Sequence, residues 1–381
     1  MTVKILIDAR MYGLENSGIG RYLINLTEEL KNIETEEQFV ILLRKKYFDK
    51  LNFPKSWKKL LADFRHYTFE EQYKLPGIIY KEKPDIVHFP HINYPILYRG
   101  KCVITVHDLT MQYQGLNATK LPLPIYYLKR FPFLFTTKIG IKTASAIIVP
   151  SKAVMKDVSS YYKINKNKIF INYEGVDFGK FENHLRGDPK GLLGRWSLEK
   201  EKYFFYVGNA YPHKNLGKAI EAIVALNKSI KEKVIFAIAG SKDFFKKKLE
   251  EYVKSIGAEE YVKLLGYVPD KDLSILYKNS IAFVYPSFSE GFGLQGLEAM
   301  ASESPVIASD IPVFKEIYGD NAVYFNPNDV DSLVKVMKTV MKMSNEEKYK
   351  KVDEAKEFIK RYSWQKMAKE TLNIYKQVSG N

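Results

Sequence analysis

The chain is poor in cysteine and has no long hydrophobic run. Its single cysteine, Cys102, lies in an apolar stretch, so neither an internal disulfide nor a cysteine-based zinc cluster can form. Such a chain is typical of a reducing compartment, and we expect a cytoplasmic location. No segment reaches the ~18 uninterrupted apolar residues of a membrane span. The strand-like start is interrupted by charge too early for a signal peptide. We therefore expect a soluble protein, at most peripheral to a membrane.

Acidic residues are also in deficit. The chain has 59 Lys and Arg against 44 Asp and Glu, a net charge of +15. This excess favours anionic partners such as nucleic acid, lipid headgroups or phosphorylated substrates, without choosing among them. Apolar residues make up 46% and charged residues 27%, which excludes a disordered chain. At 381 residues, the length predicts two domains.

Short β-branched runs alternate with helical patterns, which predicts parallel sheets covered by helices. Several runs, such as 234–239, are continuously apolar, as strands buried on both faces are. A first series of predicted strands covers 3–8, 38–43, 64–68, 85–89, 102–107, 146–150 and 168–173. A second series covers 203–208, 233–239, 262–268, 281–286, 305–309 and 322–325.

A stretch rich in Gly, Pro and mixed charge separates the two series over 177–202 and predicts a linker, including Arg186 to Gly191. We expect two α/β, doubly wound, Rossmann-like domains. The first covers 1–180 and the second 181–361. The chain is wholly helical after 326, and its last helix begins with Ser363 at the N-cap.

Ligands of doubly wound sheets bind beyond the carboxyl ends of strands, where helix N-termini favour anions. One such turn carries Gly18 and Gly20, which let the backbone approach a ligand, and Arg21, which adds charge. The same residues also fit a plain tight turn. A second turn places Lys214 near a helix N-terminus, where a cation is unfavourable unless an anion lies between them. A solvated lysine is the alternative.

The third turn runs from strand to glycine turn to helix and carries Glu290 and Glu298, eight residues apart. Glu298 shares a helix face with Leu294, so it points toward packed structure, where an unpaired carboxylate is costly. A pair of ligand hydroxyls would satisfy it. A capping box or an internal salt bridge would also explain these glutamates.

Glu290 and Glu298, with Gly-Phe-Gly-Leu between them, resemble the E-x7-E signature of retaining, GT-B-fold glycosyltransferases of family four. The resemblance extends from residue 3 to about 375, through Gly18, Gly20, Val106–Leu109, Lys214, Gly266–Pro269, Pro305–Ser309 and Gly319–Ala322. It implies two Rossmann-like domains facing a cleft, with a C-terminal helix, 362–381, returning to the first domain.

The resemblance also implies roles. The second domain would bind a nucleotide-sugar and the first the acceptor. Glu290 would hold donor-sugar hydroxyls, Glu298 the ribose hydroxyls, and Lys214 the diphosphate leaving group. Family members place a histidine against the donor sugar where His107 stands, although a structural histidine is the alternative. The other expected donor contacts are Gly18, Gly20, Arg21, Asn209, Gly266, Tyr267, Gly291, Phe292, Gly293 and Leu294; His88 and His91 are acceptor-side candidates.

The other large glycosyltransferase class binds a divalent ion through Asp-x-Asp. The two such triplets here, at 270–272 and 329–331, precede helices and are interpreted as N-caps. We therefore expect no essential metal and no cofactor besides the nucleotide-sugar co-substrate. Glu303 replaces the glycine that the family has at a helix end, a departure that concerns the helix terminus and not the chemistry.

The basic excess is concentrated in the first half of the chain. Residues 109–156 carry seven cations, no acid and several aromatic residues, and 44–65 add eight cations against two acids. Basic-aromatic surface suits an anionic bilayer and a lipid-linked acceptor. Solvated helix faces on a basic protein are the alternative.

The favoured function is a retaining hexosyltransferase that acts on a glycan or lipid-linked acceptor in cell-surface polysaccharide synthesis. Mannose from GDP-mannose is favoured because Ile7–Arg10 together with 17–22 resembles bacterial mannosyltransferases. UDP-dependent glucosyl or N-acetylglucosaminyl transfer and a nucleotide-sugar epimerase of the same fold are alternatives. A basic nucleic-acid-binding protein would explain the charge but not the paired glutamates, and no nucleic-acid motif is present; we therefore expect no nucleic-acid partner.

Overall fold

The computed structural model describes residues 2–113, 119, 122–179, 181, 188–240 and 244–380, with the side chains of 244 and 245 left out. Two compact units make up the chain: Met1–Gly175 with Ser363–Asn381, and Val176–Tyr362. Each is described separately below. Part of the predicted linker, 182–187 with Arg186, lies outside the described residues, and so does Lys120 of the basic segment. Among the described residues, no helix is long and apolar enough to cross a bilayer.

The first unit contains a seven-stranded parallel sheet of order β3-β2-β1-β4-β5-β6-β7. Its strands are β1 Lys4–Asp8, β2 Gln38–Leu43, β3 Lys58–Leu61, β4 Ile86–Phe89, β5 Cys102–Thr105, β6 Ala146–Val149 and β7 Ile169–Ile171. Its helices are Ser17–Lys31, Lys45–Phe48, Phe69–Glu82, Thr110–Tyr113, Leu123–Thr143, Lys152–Tyr162 and Trp364–Ser379. Strands β1, β4, β5 and β6 are almost wholly buried, as their continuous apolar runs require.

The third strand was predicted in the wrong place. It was expected over 64–68, but β3 is Lys58–Leu61, paired with β2 from Val40 to Leu43. Tyr67 has φ 60, which interrupts extended backbone, and the Thr68 side chain accepts from the Glu71 N–H to cap the next helix. β3 was missed because it is an edge strand with lysines and little buried surface.

The last helix returns to the first unit. Ser363 caps it through its side chain, as predicted. Asn172, just after β7, donates from Nδ2 to the Met367 carbonyl at 2.9 Å and to Thr371 Oγ1 at 2.8 Å. The position of a Cβ at Gly175 lies 2.1 Å from the Trp364 backbone nitrogen, so only glycine fits this approach.

The unit boundaries lie at 175/176 and 362/363, whereas the sequence placed them at 180/181 and 361/362. The boundaries differ because the segment 172–175 packs closely against the start of the C-terminal helix. Asn172 and Gly175 are fastened to the C-terminal helix, while the Val176 N–H donates to the Tyr362 carbonyl at 3.2 Å within the second unit. The chain therefore leaves the first unit before the linker composition begins.

The second unit contains a six-stranded parallel sheet of order β10-β9-β8-β11-β12-β13. Its strands are β8 Tyr203–Val207, β9 Ile235–Ala239, β10 Val262–Gly266, β11 Phe283–Tyr285, β12 Val306–Ser309 and β13 Val323–Phe325. Its helices are Pro189–Arg195, Leu216–Lys228, Phe244–Ser255, Asp270–Lys278, Leu294–Ala301, Pro312–Tyr318, Val330–Met341 and Asn345–Ile359. The predicted pair of doubly wound α/β domains is confirmed, and so is the return of the last helix to the first.

The two Asp-x-Asp triplets were both predicted to be N-caps, and the structure confirms only one of them. Asp329 is an N-cap that accepts from the Asp331 N–H, as expected, whereas Asp270 lies inside its helix after Pro269 at the cap. Glu303 follows Leu294–Ala301 with φ 61, the left-handed region that a glycine would favour. Its carboxylate pairs with Lys278 at 2.7 Å and Lys356 at 3.1 Å, which offsets the backbone strain.

Candidate functional site

The candidate site of the second unit lies where the strand order reverses, between β8 and β11. Such a switch point opens a crevice at the carboxyl ends of the two strands, because the following helices go to opposite sides. The loop after β8 carries Lys214, and the loop after β11 carries Glu290. The Phe288 N–H donates to the His213 carbonyl at 2.8 Å, so the two loops are joined.

Lys214 and Glu290 form an ion pair in this crevice. Lys214 Nζ lies 2.6 Å from Glu290 Oε1, and both side chains are 11% exposed. Ser287 Oγ donates to the same oxygen at 2.6 Å. Asn215, at φ 56, turns the chain sharply between Lys214 and the helix Leu216–Lys228, and its Nδ2 donates to the Pro327 carbonyl at 2.9 Å. The internal salt bridge that the sequence left open for the glutamates is present at Glu290, and the alternative of a solvated Lys214 is wrong. The sequence did not identify Lys214 as the partner of Glu290 or predict the contact of Ser287.

Three buried tyrosines surround this pair: Tyr206, Tyr285 and Tyr318. Burial, followed by the nearby Glu290 charge, raises the pKa of each well above its usual value, so all three remain neutral hydroxyls. They brace the loops: Tyr206 donates to the Asn209 carbonyl at 2.9 Å, and Tyr285 donates to Gln295 Oε1 at 2.6 Å. Tyr318 donates to the Gly293 carbonyl at 2.5 Å.

Gly293 sets the backbone at the start of the helix Leu294–Ala301. It has φ +90, and a Cβ there would lie 2.3 Å from Tyr318 Oη and 2.9 Å from Phe314 Cε1. Only glycine therefore combines this turn with this packing. Phe292 is buried with its ring 5.5 Å from that of Tyr362, while Leu294 is half-buried and Gly291 is buried. Glu298 lies on the same helix and is 3% exposed, turned inward as its spacing predicted.

Glycines lie at the carboxyl ends of β8, β9 and β10, the three strands on one side of the switch point. The Gly208 N–H donates to the Ala239 carbonyl at 3.0 Å, and the Gly240 N–H donates to the Gly266 carbonyl at 2.8 Å. A Cβ at Gly240 would lie 2.2 Å from the Gly208 carbonyl oxygen, so the chain passes too closely for any other residue. Asn209 Oδ1 is buried and has no hydrogen-bond partner among the described residues, and Tyr267 is 69% exposed.

In the first unit, Gly18, Gly20 and Arg21 lie within the first turns of the helix Ser17–Lys31 and not in a turn before it. A Cβ at Gly20 would lie 1.8 Å from the Gly13 carbonyl oxygen, so Gly20 is required by packing. Gly18 is exposed, with no atom within 4 Å of its Cβ position. Of the two, only Gly18 leaves room for a ligand.

His107 follows β5 and is mostly buried. Its Nδ1 lies 3.2 Å from Glu174 Oε1, its Nε2 lies 3.2 Å from the Pro90 carbonyl, and the Tyr22 ring is 4.9 Å away, edge-on. Glu174 is 8% exposed and was not selected from the sequence. Its position three residues after the end of β7, at a carboxyl edge, is the signal that could have found it.

His88 requires a correction. It is fully buried inside β4, with Nε2 2.8 Å from Thr105 Oγ1 and Nδ1 2.6 Å from Tyr375 Oη. Burial lowers its pKa to about 3, so it stays neutral. A histidine with both nitrogens occupied inside the core has no atom to offer an acceptor. His88 connects the sheet to the C-terminal helix.

His91 lies at the switch point of the first sheet, between β1 and β4, and is half-buried. Its Nδ1 accepts from the Asn93 N–H at 3.0 Å, so Nε2 carries the proton and donates to Tyr67 Oη at 2.7 Å. Desolvation, then the nearby His66 and His107, lowers the pKa of His91 to about 3. Both of its ring nitrogens are engaged within the unit, as in His88, but its ring is half-buried at the switch point and not enclosed in the core, so the acceptor-side role stays a prediction.

A buried charge cluster behind His91 was missed. Arg10 donates to Asp8 through Nε at 2.7 Å and to Glu71 Oε1 at 2.6 Å, and Asn93 Nδ2 donates to Glu71 Oε2 at 2.6 Å. Burial alone would raise the pKa of Asp8, but the Arg10 charge and hydrogen bonds outweigh it and lower the pKa. The cluster ties the ends of β1 and β4 to the helix Phe69–Glu82 and so holds the loop of His91 in place.

Two family models match the chain. The one described as "Glycosyltransferase Family 4" matches residues 16–180, and the one described as "Glycosyl transferases group 1" matches 195–358. The first match ends just past the first unit, and the second lies within the second unit.

Similar proteins include the O-antigen chain mannosyltransferase RfbU of Salmonella typhimurium, 27% identical over 88% of this chain and 90% of that protein. Among solved structures, a glycosyltransferase from Rickettsia africae has a TM-score of 0.74 at 18% identity, covering 100% of this chain and 99% of that one. Anabaena HepE, solved in complex with UDP, has a TM-score of 0.73 at 14% identity, covering 99% and 100%. These structures share with this chain the GT-B fold of two parallel-sheet domains with helices.

Proposed function

Because this chain belongs to glycosyltransferase family four and has the GT-B fold, we propose that it transfers mannose from GDP-mannose to a glycan or lipid-linked acceptor. The product would be a cell-surface polysaccharide such as an O antigen. The observation that carries this proposal is the Lys214–Glu290 pair at the switch point of the second sheet. The similarity to a mannosyltransferase along 88% of the chain supports the choice of sugar.

The pair explains how a charged donor would enter. Glu290 neutralises the Lys214 ammonium, and Ser287 donates to the same carboxylate oxygen. An arriving diphosphate would attract the ammonium and leave Glu290 Oε1 able to accept a hydroxyl of the donor sugar. As the nucleoside diphosphate departs, negative charge develops beside Lys214, where a fixed cation lowers the barrier.

The rest of the donor would lie across the carboxyl ends of the second sheet. Glu298 would bind the two ribose hydroxyls, and the tight turn at Gly293 would let backbone N–H groups of 292–294 approach the phosphates. Asn209 Oδ1, which is buried and has no hydrogen-bond partner in the described part of the chain, offers an acceptor for a donor hydroxyl or amino group. Gly266 and the exposed Tyr267 belong to the same edge.

The first unit would bind the acceptor and would provide one side chain that contacts the donor sugar. We assign His107, fixed by Glu174 and the Pro90 carbonyl, to the donor sugar, and His91 to the acceptor. Gly18 and Arg21 would contact the donor at the start of the helix Ser17–Lys31. Retention of the anomeric configuration is part of the proposal.

We further propose that no metal is essential and that the protein acts in the cytoplasm. Lys214 and the helix beginning at Leu294 can supply the positive charge that a divalent ion supplies elsewhere. Burial raises the pKa of the Cys102 thiol to about 12, so this thiol is inert. Its chemistry therefore gives no reason to change the cytoplasmic location that the sequence predicts.

The test is transfer by the purified chain with EDTA present. GDP-mannose, UDP-glucose and UDP-N-acetylglucosamine would be offered with a synthetic lipid-linked saccharide, and released nucleotide and product would be quantified. We expect turnover with GDP-mannose and an α-linked product by nuclear magnetic resonance. Turnover only with a UDP-sugar would replace the donor. A changed sugar released without acceptor would identify an epimerase, and dependence on a divalent ion would overturn the metal-free mechanism.

A further inference from the structure

The helix Leu123–Thr143 has an unusual surface. Its buried residues are Thr137, Gly140 and Ile141, all in its last third, and no residue from 123 to 136 is buried. We call 123–136 the projecting segment. Its exposed large apolar side chains are Leu123, Ile125, Tyr127, Leu128, Phe131 and Phe135, and Leu128 and Phe131 are each 74% exposed. A contiguous apolar surface of this kind marks an interaction site.

The apolar surface continues onto the neighbouring segment. Arg130 donates from Nη1 to the Met111 carbonyl at 2.9 Å and from Nη2 to the Gln112 carbonyl at 2.7 Å. This places the exposed Met111 and Tyr113 beside the projecting segment, and the Phe131 and Phe135 rings stack 6.3 Å apart. Arg130 therefore holds the two segments together, and the cations available to a partner are the lysines of this helix.

Charge selects the kind of partner. From 109 to 156 the sequence has seven cations and no acid. Lys129 lies exposed within the projecting segment, and Lys138 and Lys142 are exposed farther along the same helix. Two copies of this surface facing each other would bring like charges together, which opposes association. An anionic bilayer offers both an apolar layer for the aromatic side chains and negative headgroups for the lysines.

We propose that the projecting segment docks the protein on an anionic lipid bilayer, with Leu128 and Phe131 inserted at the headgroup boundary and Lys129 held against the headgroups. The surface belongs to the first unit, to which the acceptor is assigned, so a lipid-linked acceptor would be reached from the bilayer itself. The inference rests on exposure and charge, not on the donor chemistry, so either proposal can fail alone.

The experiment measures binding of the full chain to phosphatidylcholine vesicles with and without phosphatidylglycerol. We expect binding only to the anionic vesicles. Phe131→Ser should lower the partition coefficient about tenfold and Lys129→Gln about fivefold. The matched controls are Tyr349→Ser and Lys350→Gln, on the exposed face of the helix Asn345–Ile359, where Tyr349 is 70% exposed. Both controls should bind as the unaltered chain does.

A second measurement gives depth. Bromine-labelled lipid should quench the fluorescence added by Phe131→Trp and not that added by Tyr349→Trp. Absence of binding to anionic vesicles would overturn the proposal, and equal binding by Phe131→Ser and Tyr349→Ser would show that general basic charge is responsible. A dimer by light scattering that Phe131→Ser converts to a monomer would assign the surface to a second copy. Sugar transfer to a water-soluble acceptor, measured in parallel, should not change.

Discussion

At the scale of single residues, the second unit holds a cation in a place that packing alone disfavours. The Lys214 side chain is 11% exposed and lies just before the helix Leu216–Lys228, where the helix dipole opposes a positive charge. Glu290 compensates for that charge. The sequence indicated an anion near Lys214, and the structure shows that the protein itself supplies one in Glu290.

The first prediction concerns this lysine. Lys214→Met should lower kcat about 100- to 1,000-fold, because it removes positive charge where the leaving group becomes negative. It should also lower the free energy of unfolding by about 1 to 3 kcal/mol, because Glu290 loses its charged partner. Steady-state kinetics and urea unfolding measure both effects.

The matched control for that variant is Lys218→Met, in the first turn of the helix that follows Lys214, where the lysine is 39% exposed and pairs with Glu221. It should leave kcat and stability nearly unchanged, because exposed pairs contribute little. If Lys214→Met turned over as fast as Lys218→Met, Lys214 would have no role in catalysis.

At the scale of secondary-structure elements, the helix Ser17–Lys31 shows why a motif alone could not assign its glycines. Both glycines were predicted to contact a ligand, yet they differ completely in surroundings. Gly20 is pressed against the Gly13 carbonyl, whereas Gly18 faces open space. A pattern of two glycines two residues apart is satisfied equally by close chain packing and by ligand approach.

The second prediction separates these two cases. Gly20→Ala should lower the free energy of unfolding by several kcal/mol, because its Cβ position overlaps a backbone oxygen that cannot rotate away. Gly18→Ala should raise it by about 0.5 to 1 kcal/mol, because alanine is the better helix former. Thermal unfolding measures both.

Gly18→Ala also tests the donor contact assigned to that residue. If the backbone at Gly18 lies against the donor, the variant should raise KM for the nucleotide-sugar while the fold is stabilised. Unchanged kinetics together with higher stability would mean that Gly18 serves the helix alone.

At the scale of the whole molecule, the chain crosses between its two units twice and ends in the first. The last helix buries Trp364, Met367, Leu372 and Tyr375 and is bound to the first sheet through His88 and Asn172. The fold of the first unit therefore depends on residues nearly three hundred positions away in sequence, such as the Tyr375 hydroxyl on His88. The burial of His88 predicts a pH-dependent stability.

The third prediction concerns that dependence. Burial lowers the pKa of His88 to about 3, with smaller effects from His107 and Asp8. Between about pH 6.5 and pH 3 the unfolded chain binds a proton at this residue and the folded chain does not, so the free energy of unfolding falls as the pH falls. His88→Gln should be less stable at neutral pH but should lose less stability on acidification, as measured by urea unfolding at about pH 7 and about pH 5.

The control for the titration is Tyr375→Phe, which removes the hydroxyl from His88 Nδ1 and keeps the histidine. It should cost about 1 kcal/mol at both pH values and retain the slope of the unaltered chain. The same slope in His88→Gln would show that His88 does not cause the acid sensitivity and would leave His66 and His91, whose pKa values are also lowered, as the source.

The return of the last helix to the first unit was implied only by the family resemblance. The sequence by itself determined the two parallel sheets, the start of the last helix, and the turns that carry Lys214, Glu290 and Glu298. These follow from local patterns: continuous apolar runs for buried strands, glycine turns at strand ends, and Ser363 as a cap. The edge strand β3 escaped because its stabilisation comes from pairing with β2 and not from its own composition.

Only the tertiary structure decided which of two residues in similar sequence contexts is enclosed in the core and which stands at a candidate site. His88 and His91 are three residues apart, yet one is enclosed by Thr105 and Tyr375 and the other stands at the switch point of the sheet. Glu174 meets His107, and Ser287 meets Glu290, through contacts that depend on how strands align. Burial and partner identity arise from residues distant in sequence, so no local pattern can encode them.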